Sequence, residues 1–478
     1  MRLAGAAALF AVALSCAARL WLLAARPLWH DEVFTVWASR LTPGGLIRVL
    51  SHDSGPPLFY LIEKPFVAAA ESLGLSDGVA RLLPFLALLL LFAGARSLPR
   101  GGTRGRFLLL AASSPFLLLY AAEARAYALV ALLGLVLFLL AVQDAPGTRR
   151  IALIALTTAL LLWTHYLAIF FVASLLVVTG IQRRRRSAFG IGAGAALFLP
   201  WLPLLLGQPE AATAWIRESV RDSAVGFLAA LGGGIRVPAP LGRPLPEPLL
   251  VLACAAGIVL LVSVLLLRTR QLQARAGRAV VLLTLAGILA ASFWRPVAFS
   301  GRSEMVVLPI WMWLLARSSE ESLAVRRGLG AAAAVAAVSS LLLFSSPRPV
   351  RPDAALVARV EAGAHDGDLV VATANLYLPA RLARDRGRLA ADLHALPADL
   401  ADHPGWFLSR SLSEADYRQL AQDIARVKPD RSVFLLLDPA FWTPNLQQIL
   451  ATRGPLRSLS RSPEAVGFVS PGRHSGGG

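Results

Sequence analysis

Cysteine is almost missing from this chain: Cys16 and Cys254 are the only two in 478 residues, and each lies inside an apolar run. Two isolated thiols make neither a disulfide framework nor a zinc motif, and they read as buried free cysteines. Lysine is as scarce. Only Lys64 and Lys428 occur, so nearly all the basic charge is arginine. No His-Glu-x-x-His run is present, which removes one compact zinc signature. No glycine-rich phosphate loop follows a strand, and no nucleotide-sugar motif is found. The two halves show no repeat, which counts against the inverted-repeat plan of many transporters.

Apolar residues dominate instead. They make up 56% of the chain, and the mean hydropathy of +0.61 is too high for an ordinary soluble domain. Several runs reach the roughly 17–25 residues that cross a bilayer as a helix. Eleven spans are expected, near residues 3–25, 80–98, 107–122, 125–143, 150–164, 166–181, 188–206, 248–267, 279–294, 303–317 and 328–344. The first run has a basic start like a signal peptide. It continues through Trp21, Leu22 and Leu23 to Ala25, long enough to remain as a span. The fold class expected is therefore a polytopic α-helical membrane protein.

The net charge of +18 does not mark a nucleic-acid binder. The arginines lie in short clusters between apolar runs: "PRGGTRGR", "TRR", "QRRRRS", "RTRQLQARAGR" and "RSSEESLAVRR". Alternate threading puts all of them on the cytoplasmic side when the N-terminus is inside. That leaves residues 26–79, the "YAAEAR" turn, the "THY" turn and residues 207–247 outside, together with the tail after 344. The 207–247 segment, rich in Gly and Pro, reads as a mobile loop. Two domains follow: 1–344 in the membrane, with 26–79 as a first outer loop, and 345–478 outside it. The second is expected to be a small α/β domain with a partly parallel sheet and a disordered tail. Its strands are "DGDLVVATA" and "RSVFLLLDP", and its helices are "RPDAALVARVEAGA" and "SEADYRQLAQDIARV". Asn375, Tyr377, His394 and His403 read as surface loop residues of this domain.

Ionisable residues collect on the outer face. His30, Asp31 and Glu32 follow the first span, and His52 and Asp53 lead into "SGPPLFY". Glu123 and Arg125 interrupt apolar sequence with almost no loop, and Thr164, His165 and Tyr166 do the same further on. Charge at such depth is costly and faces a cavity or a partner. Glu123 with Arg125 also fits a structural ion pair. Trp29 and Trp37 fit interface anchors. For Asp31 anchoring is the weaker reading, since an acidic pair gains nothing from the field that favours basic residues inside.

At these residues the chain resembles the integral-membrane glycosyltransferases of the GT-C type, in particular the bacterial relatives of protein O-mannosyltransferases and aminoarabinose transferases. The match rests on "HDE" at 30–32, "DSGPPLFY" at 53–60, "EARAY" at 123–127 and "THY" at 164–166, in that order. Two places depart from the family pattern. Arg302 is followed by Ser303 and Glu304 where relatives have Arg-Tyr, and Ser-Gly precedes Pro-Pro where many have His.

The resemblance implies transfer of a hexosyl or pentosyl group from a polyprenyl-phosphate donor to a glycan, lipid or protein acceptor. Such transfer takes place at the outer face of the inner membrane, usually with inversion. It implies Asp31 as general base with Glu32 in support, or the two roles exchanged, and Glu123, Arg125, Tyr127, His165, Tyr166 and Arg302 at the donor phosphate and sugar. His30, His52 and Asp53 would serve the acceptor side or a metal. No cofactor is assigned. A divalent metal stays open, since His30, Asp31, His52, Asp53, Glu123 and His165 carry ligand atoms. The competing class is a transporter or flippase of lipid-linked sugars without chemistry.

Overall fold

The computed structural model describes residues 2–26, 28–53, 55–98, 102–143, 147–209, 213, 216, 218–236, 245–267, 269, 271–345, 352–401, 412–439, 442–452, 454, 456–461 and 465–472. It divides into two compact units. One comprises Met1–Arg26 with Ser54–Arg348, the other Pro27–Asp53 with Pro349–Gly478.

The first unit is helical. Its helices are α1 (Arg2–Ala25), α4 (Leu58–Ser72), α5 (Leu82–Gly94), α6 (Gly102–Ser113), α7 (Pro115–Tyr120), α8 (Tyr127–Val142), α9 (Thr148–Thr164), α10 (Ala168–Ile181), α11 (Arg185–Ala196), α12 (Leu202–Gly207), α13 (Val220–Leu231), α14 (Glu247–Leu266), α15 (Leu272–Ala291), α16 (Leu308–Ser318) and α17 (Leu323–Ser345). Every one of the eleven apolar runs falls on helix. Among the described residues, five helical stretches are long and apolar enough to cross a membrane: Asp77–Ser97, Arg185–Gly207, Glu247–Leu266, Leu272–Ala291 and Leu323–Leu343. The expected eleven crossings thus outnumber the helices of spanning length. The reason is local. Ser114 and Pro115 break the run at 107–122 into α6 and α7, and α16 has 11 residues.

Apolar side chains stay on the outside of the spanning helices. On α14, Val251, Leu252, Val259 and Leu266 are 62%, 53%, 55% and 76% exposed. At roughly 25 cal/mol per Å² such surface is costly in water and neutral in lipid. The protein is a multi-pass membrane protein. Small residues let its helices meet: a Cβ on Gly194 would lie 2.3 Å from the Ala155 carbonyl oxygen, and one on Gly257 2.0 Å from that of Leu228.

The second unit holds a five-stranded mixed sheet. Its strands are β1 (Leu369–Thr373), β2 (Asp392–Leu396), β3 (Val433–Leu437), β4 (Arg457–Arg461) and β5 (Val466–Ser470), in the order β2-β1-β3-β5-β4. β1 pairs in parallel with β2 and β3, while β5 runs antiparallel to β3 and β4. β1 and β3 are buried along their whole length, as central strands covered on both faces must be. On one face Val370, Ala372, Phe434 and Leu436 meet Leu356 and Val360 of α18 (Pro352–Gly363) and Leu376 and Tyr377 of α19 (Ala374–Asp385). On the other, Leu369, Val371, Leu435 and Leu437 meet Leu420 and Ile424 of α20 (Glu414–Arg426) and Leu446 and Leu450 of α21 (Pro444–Ala451).

The unit boundary does not follow the chain at 344. Residues 27–53 carry α2 (His30–Arg40) and α3 (Pro43–Leu50) and group with the sheet. α2 packs against α19, and the Arg40 guanidinium donates to the Asp385 carbonyl at 3.3 Å. Tyr377 is also no loop residue: it sits in α19 with 2% exposure. Asn375 is exposed on the same helix, and His394 lies on β2. His403 and the tail at 473–478 lie outside the described residues.

Candidate active site

In the first unit, a polar cluster forms around Tyr127. The chain reaches it through α7, whose N-terminus is capped by the Ser114 hydroxyl and preset by Pro115. α1 holds α7 in place. Arg19, fully buried, donates to the Leu117 carbonyl at 2.9 Å and to the Ser15 carbonyl at 2.9 Å. After Tyr120 the chain turns through Glu123 and Arg125, where the Arg125 amide donates to the Glu123 carbonyl at 2.7 Å. Glu123 is fully buried and Arg125 half-buried. Tyr127 opens α8 with 5% exposure.

Four groups surround the Tyr127 ring. The Tyr120 ring lies 4.6 Å away and the His165 ring 5.5 Å. The guanidinium carbons of Arg125 and Arg302 stand 6.0 Å and 5.6 Å from its centroid, within cation–π range. Arg302 also lies 5.1 Å from the Phe299 ring. Tyr120 is within electrostatic reach of Arg302, Tyr127, Glu123 and Glu304. Sequence reasoning did not single out Tyr120. Its buried hydroxyl has no hydrogen-bond partner among the described residues. A tyrosine in an apolar run gives no signal until its neighbours are known.

His165 connects α9 and α10. Its Nδ1 accepts the Leu167 amide at 3.2 Å, which leaves the ring proton on Nε2. Burial and then the nearby Arg125 and Arg302 charges lower its pKa from 6.5 to about 4. The ring is therefore neutral at physiological pH. Tyr166 is differently placed. Its hydroxyl accepts from Trp201 Nε1 at 2.7 Å and Gln208 Nε2 at 2.9 Å, and donates to the Gly55 carbonyl at 3.2 Å. Three bonds saturate a hydroxyl, so Tyr166 ties the loop before α4 to α12 and its neighbouring turn.

Arg302 is 8% exposed and rises from a tight loop. Ser303 and Glu304, where the sequence departs from the family pattern, build that loop. The Ser303 hydroxyl accepts the Phe299 amide at 2.8 Å, and Glu304 Oε1 accepts the Gly301 amide at 2.9 Å. Gly301 has φ of +90°, a conformation that side-chain-bearing residues rarely adopt.

The remaining candidates belong to the second unit. α2 begins at His30, and its first turn carries Asp31 and Glu32, where a helix N-terminus favours negative charge. His30, Asp31 and Glu32 are 6%, 7% and 0% exposed. Glu32 Oε2 accepts the Trp29 amide at 3.1 Å, the back-reaching half of a capping box. The Asp31 carbonyl accepts the Thr35 hydroxyl at 3.0 Å. His52 is exposed, its Nδ1 3.0 Å from the Ser51 hydroxyl and 3.2 Å from the Arg48 carbonyl. Asp53 is 3% exposed. The structure thus gathers Arg125, His165 and Arg302, with Tyr120, around the Tyr127 ring, and it seats His30, Asp31 and Glu32 on one helix start. Among the described residues, no group of three His, Cys, Asp or Glu side chains is placed to hold a metal ion.

No protein-family model matches the chain, and no curated protein matches it in sequence. Solved structures do match. ArnT from Cupriavidus metallidurans in the apo state superposes with a TM-score of 0.61 over 97% of each chain, at 14% identity. The structure of that ArnT bound to undecaprenyl phosphate gives the same TM-score and identity over 98% of this chain and 99% of the other. At such identity the likeness speaks for the fold, and over nearly its whole length the chain has the fold of ArnT.

Proposed function

We propose that the protein transfers a hexosyl or pentosyl group from a polyprenyl-phosphate donor to an acceptor at the outer face of the inner membrane. One observation carries this reading: two guanidinium groups, Arg125 and Arg302, converge on the Tyr127 ring beside a neutral histidine in a unit of spanning helices. Arginine stays charged at any working pH and binds phosphate through paired hydrogen bonds. The ligand class is taken from ArnT, which has been solved with undecaprenyl phosphate bound.

In the reaction, the acceptor oxygen bonds to the anomeric carbon as the carbon–oxygen bond to phosphate breaks. The acceptor proton passes to the Asp31 carboxylate, and the bonding electrons leave on the polyprenyl phosphate. Arg125 and Arg302 bind that growing charge, where fixed donors in a dry site contribute most. Glu123 counters the paired guanidiniums, and Tyr127 and the neutral His165 face the sugar. Glu32 holds the start of α2, and with it the base. His30, His52 and Asp53 serve the acceptor side. The acceptor is a glycolipid, an envelope glycan or a protein, and the sheet unit lies in the periplasm.

The test is sugar transfer by purified protein from a synthetic polyprenyl-phosphate sugar, with Asp31→Asn alongside. Transfer by the wild type and its loss in the variant are expected. A full rate in Asp31→Asn removes the base assignment. Movement of the lipid across liposomes with no sugar consumed replaces the enzyme by a flippase.

A further inference from the structure

The backbone amides of the loop that bears Arg302 are bonded mostly within the loop itself. Five consecutive amides, Phe299 to Ser303, all donate hydrogen bonds. Phe299 gives to the Ser303 hydroxyl, Gly301 to Glu304, and Arg302 and Ser303 both to the Phe299 carbonyl, at 3.2 Å and 3.0 Å. Only the Ser300 amide reaches outside, to Glu218 Oε2 at 2.6 Å. Glu218 also accepts the Ser300 hydroxyl on its other oxygen. It precedes α13, lies in a segment the sequence reads as a mobile loop, and has a side chain only 10% exposed.

Two further donors complete the carboxylate. Arg236 Nη1 lies 3.0 Å from Oε1, and the Ser223 hydroxyl 3.2 Å from Oε2. A carboxylate so far withdrawn from water costs several kcal/mol unless it is this fully bonded. The contact is also close-fitting: a Cβ on Gly226 of α13 would lie 2.1 Å from the Ser300 Cβ. Glu218 therefore anchors the loop to α13 two residues before Arg302, and Gly301 and Glu304 leave little slack between.

We propose that Glu218 is a positioning residue: through Ser300 it sets the place of the Arg302 guanidinium, and so the affinity for a polyprenyl-phosphate headgroup. This rests on the donor-phosphate role proposed above. The test is a double-mutant cycle on the full-length protein in detergent, with undecaprenyl phosphate as the probe. Glu218→Gln should weaken binding about tenfold, within the range of coupling inside one hydrogen-bond network. In an Arg302→Ala background the same change should do nothing, and transfer should show a raised KM with kcat less affected. A purely structural role predicts equal loss in both backgrounds, and that result overturns the proposal, as does unchanged binding in Glu218→Gln. Should that variant not fold, Ser300→Ala, which removes one bond, enters the same cycle with the same expectations. If the wild type shows no saturable binding, the donor reading itself fails. If the wild type binds and only Arg302→Ala is impaired, the Glu218 inference alone fails.

Discussion

Arg302 and Asp31 are charged side chains buried to nearly the same degree, at 8% and 7% exposure, yet they are held by opposite means. Asp31 sits in the first turn of α2, where helix geometry, the helix field and the Glu32 cap act within three residues of it. Arg302 lies between the rings of Phe299 and Tyr127, on a loop anchored by Glu218. A charge set by a helix start depends on its immediate neighbours. A charge set by packing depends on residues far along the chain, so distant substitutions reach it.

Two substitutions should show the largest effects. Asp31→Asn keeps the cap, since Glu32 supplies it, and removes the proposed base. Transfer should fall by roughly 10²–10⁴-fold with unfolding unchanged. Arg302→Ala should lower kcat/KM by roughly 10²–10³-fold, the loss seen when one fixed donor to developing charge is removed. Arg302→Lys should recover little of it, because an ammonium lacks the planar fork. Steady-state transfer from a synthetic donor measures all three. Equal activity of the Lys and Ala variants supports packing control of this charge, and full recovery by Lys contradicts it.

Smaller effects separate the two regions by stability. Glu32→Ala should cost about 0.5–2 kcal/mol by loss of the cap, read as earlier unfolding of the sheet unit in denaturant. Gly226→Ala should cost about 1–3 kcal/mol, because the added methyl has no room beside Ser300. It should also weaken undecaprenyl phosphate binding, which Glu32→Ala should leave alone.

The same contrast explains what the sequence made legible. The acidic pair at 31–32 stood out because its cause is local. "EARAY" and "THY" stood out because ionisable residues rarely interrupt apolar runs. Their meeting at Tyr127 was only implied by the resemblance, and Tyr120, Glu218 and the saturation of Tyr166 were invisible. Each depends on partners from other helices. In the sheet, β1 and β3 announce themselves as unbroken apolar runs. "DLHAL" and "RSLSR" mix polar residues and become strands through pairing, β2 at one edge and β4 at the other. The grouping of 27–53 with the sheet is likewise a product of α2 packing on α19.

The last contrast is a pair of pH slopes of opposite sign within the first unit. Glu63 on α4 is fully buried, and neither carboxyl oxygen has a hydrogen-bond partner among the described residues. Burial raises its pKa from 4.5 to about 9. Between those values the folded chain holds a proton that the unfolded chain releases. Stability from this group is therefore full below pH 4.5 and declines as pH rises towards 9. For His165 the folded value is lowered from 6.5 to about 4, so the unfolded chain holds the extra proton in that window. Its contribution is present above pH 6.5 and lost as pH falls towards 4. Thermal unfolding in detergent across pH 4–9 checks both. Glu63→Gln should gain on the wild type steadily as pH rises, and His165→Gln should remove the slope on the acid side only. A Glu63→Gln curve parallel to the wild type would mean that the carboxyl finds a partner or water in solution. Its charge would then be held by partners close at hand rather than suppressed by packing.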